Sequence, residues 1–159
     1  MRIYMDNAAT TRLSDTALAA MTPCFQEAYG NPSSLHTPGQ RAAEKLAEAR
    51  AIFARNLHAD PREITFTSGG SEADNQALRS AAALGAKRGK RHIVSTKFEH
   101  HAVLHTLQAL EREEYEVTLL DIPPDGVVTA EQVRSAIRPD TGLVSVMFAN
   151  NEIGTIQPI

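Results

Sequence analysis

From residue 62 onward, short β-branched apolar runs alternate with stretches in which apolar residues return every three or four positions. Such alternation is the sequence sign of βαβ units in a mostly parallel sheet. The predicted strands are residues 63–67 (EITFT), 92–96 (HIVST), 116–120 (EVTLL) and 143–148 (LVSVMF). Helices are expected between them: one following Ser71, one over about 101–113, and one beginning at Thr129, whose hydroxyl and Gln132 match a capping box. Upstream, the pattern predicts helices at about 15–29 and 39–57, separated by the loop GNPSSLHTPG. In the longer one Ala42, Leu46, Ala49, Ile52, Phe53 and Leu57 form an apolar stripe, with Arg41, Glu44, Lys45 and Glu48 on the wet face. The expected fold class is therefore α/β, with N-terminal helices followed by βαβ units. The expected division is an N-terminal segment over 1–61 and an incomplete α/β domain over 62–159.

Composition narrows the setting. Of 159 residues, 42% are hydrophobic and 22% charged, as in ordinary soluble domains. No run of about eighteen apolar residues predicts a membrane span, and MRIYMDNAATT lacks the apolar core of a secretion signal, so the expected location is cytoplasmic. A net charge of −3, with Gly89 interrupting the basic cluster Lys87, Arg88, Lys90 and Arg91, points to a solvated loop and away from a nucleic-acid partner. Cys24 is the only cysteine, which excludes an internal disulfide. Beside Thr22, Pro23 and Phe25 it reads as a small buried hydrophobe.

Three polar turns carry the candidate chemistry. In FTSGGSEADN (residues 66–75) an apolar run enters a Gly-Gly-Ser turn and opens a helix, which outlines an anion site: glycines admit close approach, Ser71 offers a hydroxyl, and the helix start offers free N–H groups. The same letters also describe a plain helix start. Glu99-His100-His101 follows the 92–96 strand; one imidazole there can stack on a flat ligand or serve as a polar loop residue, and the spacing with His105 completes no zinc motif. Asn150-Asn151-Glu152-Ile153-Gly154 follows the last strand, where asparagine amides can contact a ligand or simply make a turn. Their convergence favours a ligand site, because open α/β sheets bind ligands outside the carboxyl ends of their strands.

Together with YMDNAATT (4–11), GNPSSLH (30–36), EHHAVL (99–104) and NNEIGTIQPI (150–159), these stretches resemble the cysteine desulfurases of the iron–sulfur-cluster and nitrogen-fixation branch, class V aminotransferase relatives within the fold type I pyridoxal 5′-phosphate (PLP) enzymes. The resemblance runs in order along essentially the whole chain. It implies that Gly70 and Ser71 hold the cofactor phosphate, that His100 stacks on the pyridine ring as the catalytic histidine, that Asn151 contacts cofactor or substrate, and that Asn7, Ala8 and Ala9 help form the substrate entrance. It further implies conversion of L-cysteine to L-alanine, transfer of persulfide sulfur to an acceptor or iron–sulfur scaffold protein, and a homodimeric full-length protein. No metal is expected. In relatives the cofactor-binding lysine and the persulfide cysteine lie beyond position 159; Lys45, Lys87, Lys90 and Lys97 read as surface residues, so the resemblance implies an N-terminal fragment or one half of a split enzyme. The rival expectations are another class V activity, such as a selenocysteine lyase or an aminotransferase-like enzyme, and a non-catalytic truncated product.

Overall fold

The computed structural model describes residues 3–159. Two compact units divide between Phe66 and Thr67.

In the first unit, helix α1 (Asp15–Gln26) starts where the Ser14 hydroxyl accepts from the Ala17 N–H at 3.1 Å. It stops short of the predicted 29 because the Ala28 N–H turns back to the Pro23 carbonyl at 3.1 Å, closing the last turn. No residue of α1 is buried. Cys24 is therefore exposed, and the expectation of a buried thiol is corrected: its helix presents no core-facing side.

Helix α2 (Thr37–Asn56) begins two residues earlier than predicted, since the His36 ring caps it by accepting from Gly39 N at 3.3 Å and Pro38 suits a first turn. Its buried positions are Gly39, Ala42 and Ala54. Of the expected apolar stripe only Ala42 is buried; Leu46, Ile52, Phe53 and Leu57 are exposed, because the segment that packs on α2 is short. That segment is residues 64–66. The Arg50 guanidinium donates to the Ile64 carbonyl and lies 5.0 Å from the Phe66 ring centroid, while Phe53 meets Phe66 edge-on at 5.9 Å.

This packing corrects the first predicted strand. Residues 61–63 form a 3-10 turn closed by a reciprocal cap between Asp60 and Glu63, and the following residues, although extended at Ile64, join no ladder among the described residues. β-propensity makes a strand only where a neighbour supplies backbone hydrogen bonds, and here the Ile64 carbonyl is taken by a side chain.

The second unit runs α3 (Gly70–Ala86), β1 (His92–Thr96), α4 (His101–Glu111), β2 (Glu116–Leu120), α5 (Ala130–Ala136) and β3 (Thr141–Val144). The sheet order is β2-β1-β3, and both pairings are parallel. Strands β1 and β2 occupy the predicted residues, and α5 starts at the predicted Thr129–Gln132 capping box. All five residues of the central strand β1 are buried. Ile93 enters a core with Leu78 and Ala82 of α3 and Val103, Leu107 and Leu110 of α4, flanked by Tyr115, Val117 and Leu143. Fully burying each large aliphatic side chain here contributes about 1.5–3 kcal/mol. Helix α3 and strand β3 approach closely at two glycines: a Cβ on Gly85 would lie 3.4 Å from the Gly142 Cα. Gly142 is also the extra residue where the β1–β3 register shifts.

Strand β3 starts two residues before its predicted position and ends four earlier. The Ser145 N–H still reaches the Val94 carbonyl at 2.9 Å, but the Met147 N–H is diverted to the Glu99 carboxylate at 2.7 Å. Beyond it Ala149 makes an antiparallel bridge with Ile156, so the chain has already turned.

Candidate functional site

The first piece of the site is the start of α3. Gly69 occupies the cap position with an extended backbone and provides no side-chain cap. A Cβ on Gly69 or Gly70 would meet nothing within 4 Å, so this turn is open. Glu72 is held back from it: its carboxylate accepts from the Ser68 hydroxyl at 2.6 Å and the Ser68 N–H at 2.7 Å, and these bonds hold its pKa below the ordinary carboxylate value. Ser71 is exposed. A 17-residue helix with an uncapped first turn, open space at two glycines and a hydroxyl beside them has the donor set a phosphate requires.

His100 forms the second piece. It caps α4, with Nδ1 accepting from the Ala102 N–H at 3.1 Å, which leaves Nε2 to carry the ring proton. The exposed ring borders two clefts. One, of about 390 Å³, is lined by Ser71, Asn75, Arg79, His100, His101 and His105 among others; the other, of about 190 Å³, is lined by His100 together with Glu99, Asn150 and Asn151. His101 and His105 stack at 5.5 Å along one side of the helix. The structure therefore places Ser71, with Gly70 next to it, in one cleft that His100 lines, and Asn151 in another.

Asn7, Ala8 and Ala9 belong to the first unit. They form an exposed turn in which the Ala9 and Thr10 N–H groups approach the Asp6 carbonyl at 3.3 Å. The four lysines are exposed, as expected from the sequence; Lys45 pairs with Glu48 at 2.9 Å and Lys97 with Asp121.

Two residues of the site were passed over in the sequence. Glu99 is 7% exposed and accepts from the Thr96 hydroxyl at 3.0 Å and the Met147 N–H at 2.7 Å, while burial pushes its pKa up. Asn150 is 8% exposed; its Nδ2 donates to the Phe98 carbonyl at 2.8 Å, and its Oδ1 accepts from the N–H groups of Glu152 and Ile153 at 2.8 and 2.9 Å. Each immediately precedes a candidate residue, His100 or Asn151. The available signal was composition: a carboxylate or amide in a loop that folds back against a buried strand must find a partner there.

Comparison with known proteins places this geometry in a family. Residues 3–159 match the model of the aminotransferase class-V family. The chain is 49% identical over 158 residues to the putative cysteine desulfurase IscS 1 of Bacillus subtilis (strain 168), covering 99% of this chain and 41% of that protein. Among solved structures, a NifS-like protein superposes with a TM-score of 0.93 at 43% identity, covering 99% of this chain and 43% of that one. A second structure, described as SspA in complex with cysteine, superposes with a TM-score of 0.85 at 38% identity over 95% of this chain and 43% of that one. The chain thus spans about two-fifths of the length of the relatives it matches. With the family model matched from Ile3 to the last residue and the α/β architecture shared with its solved relatives, the chain belongs to the aminotransferase class-V family.

Proposed function

We propose that this chain provides the phosphate- and ring-binding part of a PLP-dependent cysteine desulfurase, which converts L-cysteine to L-alanine and passes the sulfur, as a persulfide, to a thiol acceptor or an iron–sulfur scaffold protein. The observation that carries this reading is that Ser71 and Asn151 each line a cleft that His100 also lines, next to an uncapped helix start. The IscS relative and the relative described with cysteine favour cysteine as substrate. A cytoplasmic location, where thiols stay reduced, and a homodimer of the full-length protein complete the reading.

In this reading the Ser71 hydroxyl and the free N–H groups from Gly70 onward receive the phosphate, with the positive end of α3 adding attraction. His100 gives the cofactor ring a flat partner and, with Nδ1 engaged by Ala102, keeps Nε2 as the nitrogen that holds a proton at the site. The Asn151 amide contacts cofactor or substrate, and the family resemblance assigns Asn7, Ala8 and Ala9 to the substrate entrance. PLP held there would supply an electron sink for electrons released at the substrate Cα.

The test is an absorbance titration of the chain with PLP, alone and with a polypeptide carrying the family's lysine and cysteine, followed by product analysis with L-cysteine. A visible band abolished by borohydride only in the mixture, together with alanine release, is expected. Failure to retain PLP in either sample, or release of alanine from L-selenocysteine but not L-cysteine, overturns the reading.

A further inference from the structure

We propose that Glu99 and Asn150 are positioning residues: together they form a reciprocal latch that fixes His100 and Asn151 relative to one another before a ligand arrives. The inference rests on assigning His100 and Asn151 to the site.

These two residues stand on loops that leave different strands, β1 and β3, about fifty positions apart in sequence. Backbone pairing carries the strands together as far as Ser145 N–H to the Val94 carbonyl. Past that point the loops are joined by side chains, and the joining is mutual. Glu99, from the first loop, accepts from a backbone N–H of the second at Met147, and Asn150, from the second, donates to a backbone carbonyl of the first at Phe98.

Each strap is braced locally. Thr96 donates to the same Glu99 oxygen, and the Asn150 carbonyl oxygen gathers the N–H groups of Glu152 and Ile153, which shapes the turn holding Asn151. Because each latch residue is the chain neighbour of the residue it positions, a shift in either strap passes to His100 or Asn151 through one peptide unit. A buried carboxylate supported by two neutral donors is a costly way to hold a loop. A hydrophobic residue would pack there at lower cost but could not fix the register of the Met147 N–H.

The test uses the full chain without cofactor, with ¹⁵N NMR of the His100 ring and Asn151 side-chain amide, amide exchange at Met147, and Ile93 and Leu107 as reporters of the core. Glu99→Ala is expected to speed Met147 exchange about tenfold or more and to shift the His100 and Asn151 signals together, with the core reporters unmoved. Glu99→Gln keeps an acceptor oxygen and is expected to restore both, whereas Glu99→Met, of similar size but without an acceptor oxygen, is expected to behave like Glu99→Ala. Asn150→Ala is expected to shift the same two signals through loss of the Phe98 strap, and its effect and that of Glu99→Ala should not add. Unchanged His100 and Asn151 signals in Asn150→Ala, or Glu99→Gln behaving like Glu99→Ala, overturns the latch. Should Glu99→Ala not fold, the Asn150→Ala result decides alone. No PLP enters these measurements, so their failure leaves the desulfurase reading standing, and a failed PLP titration leaves the latch standing.

Discussion

The imidazole of His92 and the hydroxyl of Thr141 share a 2.7 Å hydrogen bond across the β1–β3 pairing, with no part of His92 exposed. The same Thr141 oxygen accepts from the Arg138 N–H at 2.7 Å, which fixes the hydroxyl beside the ring. The other ring nitrogen shares a 2.9 Å hydrogen bond with the Thr118 hydroxyl, so one histidine ties all three strands.

Burial lowers the His92 pKa below 6.5, aided by the positive charge of Arg138 and opposed by Asp140 and Glu116. A histidine whose folded pKa is depressed contributes stability that is present above 6.5 and is lost as pH falls through that value toward the folded pKa. Urea unfolding over this window should show stability falling with acid, and the slope should flatten in His92→Gln. Equal slopes in both proteins would exclude His92 as the source.

Glu99 works in the opposite direction. Burial raises its pKa above 4.5, so its neutral form is favoured in the fold; the stability is full below 4.5 and is lost as pH rises through the raised value. Glu99→Gln removes that decline while keeping an acceptor for Met147. Its stability relative to the parent chain should therefore grow from acid toward neutral pH in the same urea series.

Ser71 lies on the surface at the start of α3, so Ser71→Ala should leave the unfolding midpoint unchanged. A hydrogen bond to a charged group is worth about 1.5–3 kcal/mol, and PLP affinity of the reconstituted protein should drop about tenfold or more. Equilibrium dialysis against PLP measures it, and pyridoxal, which lacks the phosphate, should bind both proteins alike.

Gly85→Ala tests the close approach of α3 to β3. The new methyl would stand 2.9 Å from the Lys90 carbonyl oxygen and 3.4 Å from the Gly142 Cα, both backbone atoms that cannot swing aside. Overpacking costs about 1–3 kcal/mol, against about 0.5 kcal/mol gained in helix propensity so near the helix end. A net loss of about 1 kcal/mol is expected in thermal unfolding.

The sequence was most readable where a single local pattern decided the outcome. HIVST and EVTLL are short β-branched runs bounded by turns, and β1 and β2 fall on the predicted residues. The Thr129–Gln132 cap is local chemistry and is also where it was expected. Residues 63–67 look equally strand-like, yet their fate depends on Arg50, fourteen positions before Ile64, and LVSVMF is cut short by a carboxylate 48 positions before Met147. The same distance hid the latch. His100 and Asn151 stood out by residue type, whereas Glu99 and Asn150 matter through partners that only the fold brings near.

The central position of β1 also sets an order of events during synthesis. Its five buried residues leave the ribosome before either strand that flanks them, and β2 can pair with one side as soon as Glu116–Leu120 has emerged. The other side must wait about twenty further residues for Thr141. For that interval the nascent chain carries an unsatisfied apolar edge, the kind of surface on which newly made polypeptides stick to one another. The β1–α4–β2 unit is thus the pairing that sequence order makes available first, and β3 is the strand that covers the second side of β1.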